Sequence, residues 1–200
     1  MITKEHYLEI AKKYGGFASW AIWADAGINP KSNMGDISIF DIDKNPNILN
    51  QISPDVIMVG LNIPRESNDG DFVNFHDSKP QGQDYKIRFA FQNTPFYGAY
   101  MTDIIKDFEE KISGKVVSYL KSNNEFELYN IELFQQEISD LKTKNPVIIA
   151  FGNEVFNILN KHFKDKYRII KVPHYSNYIS QENYRKEIQK ILLLNSDTNQ

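Results

Sequence analysis

Val56-Ile57-Met58-Val59-Gly60-Leu61-Asn62 is a near-continuous apolar run that follows Pro54 and breaks at a glycine and an asparagine. A run of this kind reads as a β-strand buried on both faces, as in a parallel sheet covered by helices. A second apolar run, Arg168-Ile169-Ile170-Lys171-Val172, passes directly into Pro173-His174-Tyr175-Ser176. In an open α/β sheet ligands bind beyond the carboxyl ends of the parallel strands, so residues just past two such strands converge although distant in sequence. Asn62 and His174 are therefore the first candidates for one shared site.

Working outward, residues 98–103 read as another strand, leading into a helix that contains Ile104, Ile105 and Phe108. Residues 146–151 and 167–172 read as two more strands. Leu128, Ile131, Phe134, Ile138 and Leu141 keep helical spacing, and Gly152-Asn153 opens a further helix through Val155, Phe156 and Leu159. Ser180 is a candidate N-cap for a last helix with Glu182 in its first turn, and the chain from Asn195 onward is expected to fray. Before the first long strand, a helix ends at Gly15-Gly16, the tryptophans Trp20 and Trp23 read as packing residues, and a short strand is expected over residues 37–40. A long polar loop over residues 64–88 carries Asn74-Phe75-His76. Alternating strands and helices predict a three-layer α/β/α fold with a short, mainly parallel four-stranded sheet. One domain spans residues 1–200, with its core over 55–194 and a helical and loop extension over 1–54.

Composition bounds the function. The 200 residues carry 41% apolar side chains, enough for one substantial core, and no cysteine, which removes disulfides and thiolate metal sites. No apolar stretch is long enough to span a bilayer and the opening residues lack the apolar core of a secretory signal, so a cytoplasmic protein without membrane contact is the default. The net charge of −3 does not advertise nucleic-acid binding. Residues 161–190 nevertheless hold eight basic against three acidic side chains, an excess that surrounds His174 or forms an ordinary solvated helix face.

Four strand ends finish in polar residues: Asn62, Thr102 with Asp103, Asn153 with Glu154, and His174 with Ser176. Gly60-Leu61-Asn62-Ile63-Pro64 resembles the first motif of the uracil-DNA glycosylase superfamily, often Gly-hydrophobic-Asn-Pro-Gly. Pro173-His174-Tyr175-Ser176 resembles its last motif, usually His-Pro-Ser-Pro. Between them, Tyr100-Met101-Thr102-Asp103-Ile104-Ile105-Lys106 is similar to the family's Tyr-Ile-Thr-Asn element, and residues 147–153 resemble its third strand and turn. The likeness runs in order from about residue 55 to 192.

The resemblance implies a DNA base-excision N-glycosylase, acting without metal or other cofactor on DNA that contains a damaged or mismatched base. Asn62 would position the attacking water and His174 would stabilise the departing base through a hydrogen bond. Gly60, Leu61, Asn74, Phe75, Asp103 and Ser176 would line the substrate pocket, with Phe75 or Tyr97 stacking on the extruded base and His76 nearby. Lys171, Asn177 and Arg185 would face the DNA. Two departures stand out. Asp103 replaces the family's base-reading Asn, and an ionised Asp offers only acceptors, so unless Asp103 is held protonated a base presenting amino or ring N–H donors fits better than uracil. Tyr175 and Asn177 replace the prolines around Ser176, which predicts a looser loop. The alternative is a non-catalytic nucleobase-, nucleotide- or protein-binding module on the same fold; a generic nucleotide enzyme is disfavoured by the missing glycine-rich phosphate loop.

Overall fold

The computed structural model describes residues 2–62, 70–106, 108, 110 and 112–196, so Ile63 and Pro64 of the first motif lie outside it. Helix α1 (Lys4–Tyr14) starts where Thr3 Oγ1 accepts the His6 N–H at 3.2 Å and stops at Gly15. Strand β1 (Ser19–Trp20) is followed, after two 3-10 turns, by β2 (Ser53–Asn62), α2 (Tyr85–Phe91) and β3 (Ala99–Ile105). Then come α3 (Ser113–Ser122), α4 (Asn124–Asp140), β4 (Val147–Phe151), α5 (Asn153–Phe163), β5 (Arg168–Val172) and α6 (Gln181–Ser196).

The protein is α/β, but the sheet is five-stranded and mixed, in the order β1-β3-β2-β4-β5, not four-stranded. Strands β2 to β5 are parallel, and β1 lies antiparallel to β3 at one edge. A two-residue strand carries no periodicity to read; it exists because Ala21 N donates to Ala99 O at 2.7 Å and Gly98 N donates to Ala21 O at 2.8 Å beside it. Residues 37–40 are a 3-10 turn instead of a strand, since Asp36 accepts from both the Ser38 N–H and hydroxyl at 3.1 and 2.6 Å. Ile104 and Ile105 continue β3 and are not helical, and the polar loop closes earlier than expected because α2 begins at Tyr85. Helix α6 holds to Ser196, past the expected fraying point, and Ser180 Oγ caps it by accepting from Asn183 N at 3.2 Å.

Parity along the strands divides the core. Ile57, Val59 and Leu61 of β2, Tyr100 and Ile104 of β3, and Ile148 and Ala150 of β4 pack under α1, α3, α4 and α5. Met58, Met101, Ile149 and Phe151 face the other way, against Ile87 and Phe91 of α2 and Tyr184 and Ile188 of α6. Both faces of the sheet are thus covered. The chain leaves β2 for β3 on one side and later leaves β4 for β5 on the other, so a crevice opens at the carboxyl ends of β2 and β4. No helix among the described residues is long and apolar enough to cross a membrane.

Candidate functional site

The crevice is lined by Gly60, Leu61 and Asn62 from β2, Asn74 and Phe75 from the connecting loop, Asp103 from β3, Gly152 to Glu154 at the start of α5, and Lys171 to Asn177 at the end of β5 and just past it. The expected pocket residues Gly60, Leu61, Asn62, Asn74, Phe75, Asp103, His174 and Ser176 are therefore brought together.

The β2–β3 register sets the floor. Gly60 lies opposite Asp103, and a Cβ on Gly60 would come within 2.2 Å of Asp103 Oδ1 and 3.4 Å of the Phe75 ring. Only glycine leaves room for the carboxylate to lie across β2 beneath Phe75. Asn74 anchors the other oxygen: its Nδ2 donates to Asp103 Oδ2 at 2.9 Å and to Phe17 O at 2.8 Å. Asn74 Oδ1 in turn accepts the Phe75 N–H at 3.1 Å, and Trp23 Nε1 donates to Phe75 O at 3.2 Å. These bonds hold Phe75 at φ 64°, a left-handed backbone that costs a bulky residue roughly 1–3 kcal/mol and is kept only where the surroundings enforce it. Burial pushes the Asp103 carboxyl up to about 6, against the opposing pull of Asn74 and Lys106.

His174 is set by its own loop. Its Nδ1 accepts from the Ser176 backbone N–H at 3.1 Å and lies 2.8 Å from the Ser176 hydroxyl. A backbone N–H can only donate, so the neutral ring carries its proton on Nε2. Burial lowers the His174 pKa below its usual 6.5, which keeps the ring neutral near pH 7. The ring stacks on Tyr175 at 4.4 Å between centroids, and Tyr175 meets Phe151 edge-on. The loop is not loose despite its missing prolines: Asn177 N donates to His174 O at 3.0 Å, Lys86 Nζ to Asn177 O at 3.0 Å, and Tyr184 Oη to Pro173 O at 3.0 Å.

Asn62 does more than face the crevice. Its Nδ2 donates to Phe108 O at 2.9 Å and Glu110 O at 2.8 Å, which ties the segment after β3 to the end of β2. Two carbonyl partners fix the amide orientation and leave Oδ1 as an acceptor with no hydrogen-bond partner among the described residues.

Of the residues expected to face DNA, Lys171 and Asn177 belong to the crevice lining and Arg185 does not. Lys171 is at the rim, with Nζ 3.3 Å from Asn153 Oδ1, and Asn177 is exposed beside it. Arg185 is drawn across α2, over the Phe89 ring and 3.4 Å from Gln92 O, and is not among the described lining residues. His76 is buried between Trp23 and Phe40, and burial depresses its pKa to about 3. Tyr97 packs on Trp23, outside the crevice. Thr102 is buried, its hydroxyl taken by Lys106.

Asp77 and Asp84, which the sequence does not single out, also line the crevice, as does Tyr175, read there only as a replacement for a proline. Asp84 is buried and accepts the Asp77 N–H at 3.0 Å; burial raises its carboxyl to about 6, with Asp77 and Asp103 adding repulsion. Both Asp77 and Asp84 fall in a stretch that reads as polar loop, where a buried carboxylate has no sequence signature. Tyr178, fully exposed on the His174 loop, was also passed over. Among the described residues no group of three or more His, Cys, Asp or Glu is arranged to hold a metal ion. Comparison of the chain with protein-family models, curated proteins and solved structures found no match.

Proposed function

We propose that the crevice hydrolyses the N-glycosidic bond of a modified or mismatched base in DNA, in the manner of the uracil-DNA glycosylase superfamily. The observation that carries this reading is His174: a neutral imidazole whose Nδ1 is occupied by Ser176 offers Nε2–H in the crevice that Asn62 also lines. The extruded base enters against the Phe75 ring with its edge toward Asp103. As the bond from C1′ of the sugar to the base nitrogen breaks, its electron pair moves to the base, where the His174 donor stabilises the density that collects on an oxygen. Asn62 Oδ1, held by its amide bonds to the Phe108 and Glu110 carbonyls, orients the water that adds to C1′. Asn has no useful basicity, so the water's proton leaves to solvent or to the departing base. Tyr178, beside Ser176 and Asn177, presents an exposed aromatic face for stacking at the DNA side.

The test is base release from oligonucleotides carrying single modified bases, read as abasic-site formation. Release by the wild type that falls at least ~100-fold in His174→Ala supports the reading, in line with the loss of one transition-state donor. The rival, a binding module on the same fold, is favoured by the commitment of the Asn62 amide to loop carbonyls; it requires nucleotide binding with no release from any substrate.

A further inference from the structure

The floor of the crevice carries two buried carboxylates, each with one oxygen in use and one idle. Asp103 Oδ2 takes the Asn74 amide and Asp84 Oδ2 takes the Asp77 N–H, while Oδ1 of each has no hydrogen-bond partner among the described residues. Asp103 is 4% exposed and Asp84 8%, and both line the crevice. Asp103 Oδ1 lies over Gly60, beside the Phe75 ring, and Asp103 lines the crevice. Asp77 stands at the same end, its Oδ1 taking the Lys79 N–H at 2.8 Å. The Lys106 ammonium, which acts on Asp103, is also engaged by Thr102 Oγ1, the Asp103 carbonyl and the Glu137 carboxylate, the last at 2.8 Å. Phe75 and Tyr175 supply aromatic faces alongside. Aromatic walls beside carboxylate oxygens that have no hydrogen-bond partner among the described residues suit a flat cation.

The chemistry of the proposed reaction points the same way. A neutral base leaves its sugar as an anion, and an ionised Asp103 at its edge would oppose that charge throughout bond breaking. A base that is cationic while attached leaves as a neutral molecule. Its positive charge passes to the sugar ring, water adds at C1′, one proton is released, and no negative charge forms beside Asp103. Such a base is also the better leaving group, which fits Asn62 in place of a carboxylate.

Resting on the glycosylase reading above, we propose that the pocket selects a nucleobase that is positively charged in its glycosidic form, the class of N-alkylated purines, with Asp103 and Asp84 as the groups that hold it. Alkylation leaves amino and ring N–H donors on the purine edge, and these meet the idle carboxylate oxygens.

The experiment compares release of 7-methylguanine and of uracil from otherwise identical oligonucleotides by the wild type, Asp103→Asn and Asp84→Asn, each checked for folding by thermal unfolding. The wild type is expected to release 7-methylguanine at least ~10-fold faster than uracil, and each variant to lose most of that ratio. Uracil released as fast as 7-methylguanine, or a ratio unchanged in both variants, overturns the proposal and leaves the glycosylase reading standing. If no base is released, the glycosylase reading fails and selectivity is read from binding of 7-methylguanosine against guanosine. Preference for the methylated nucleoside that is lost in Asp103→Asn upholds the proposal, and equal binding overturns it.

Discussion

Ser176 is the residue that decides what His174 can do. By filling Nδ1 with its N–H it leaves a donor at Nε2, and burial lowers the ring's pKa so that the donor is neutral near pH 7. Nitrogen NMR at pH 7 is expected to find His174 with a pyridine-type Nδ1 and a protonated Nε2; an imidazolium, or the opposite tautomer, would remove the basis for its role. Asn62 behaves less intuitively. A carboxylate is the stronger partner for a cationic sugar, which makes Asn62→Asp look like a gain. In the fold the change would set a carboxylate oxygen against the carbonyls of Phe108 and Glu110, which now receive amide hydrogens. Asn62→Asp is therefore expected to lower stability by about 1–3 kcal/mol, measured by denaturant unfolding, and to slow base release. A faster enzyme of unchanged stability would contradict the clamp.

At the scale of elements, the β2–β3 pair builds the pocket floor. Gly60→Ala forces a methyl into the space of Asp103 Oδ1 and is expected to cost about 1–3 kcal/mol on thermal or chemical unfolding, with loss of ligand binding. An unchanged melting temperature would mean that Asp103 does not lie over Gly60. The buried strands were legible in the chain because continuous apolar runs with turn residues at both ends leave few alternatives, and Asn62 and His174 followed from their places at the strand ends, whereas Asp103, also expected at a strand end, lies inside β3. The edges were not. Ile104 and Ile105 sit between strand and helix patterns, and only their place in the sheet beside β2 settles them as β3. Helix α2 buries Lys86 and Arg88, whose heads reach loop carbonyls at Asn177 and Ala24, so its sequence looks polar although its residues are interior. Asp84 and Asp77 were hidden for the same reason: the fold of the loop, with Asp84 accepting the Asp77 N–H, brings them to the crevice.

At the scale of the whole molecule, the buried carboxyls of Asp103 and Asp84 meet at the crevice. Asp103 is held at about 6 by burial, whereas a carboxyl of this type ordinarily titrates at 3.8. Between those values the folded chain keeps a proton that the unfolded chain has released, so this group's stabilising effect is full below about pH 4 and is lost as pH rises through about 6. Asp84 follows the same sign. The melting temperature of Asp103→Asn relative to wild type is expected to rise from pH 4 to pH 7; a constant difference would show that folding does not raise the Asp103 pKa. The sheet order, with β2 and β4 sending their connections to opposite sides, explains why motifs more than a hundred residues apart meet at one crevice. The most direct measurement of what they do there is single-turnover abasic-site formation on a panel of oligonucleotides with alkylated, deaminated and mismatched bases, by wild type and His174→Ala. Release of at least one base by the wild type, lost in His174→Ala with the fold intact, is the result expected. No release from any substrate, or release that His174→Ala leaves unchanged, would contradict an N-glycosylase site at these strand ends.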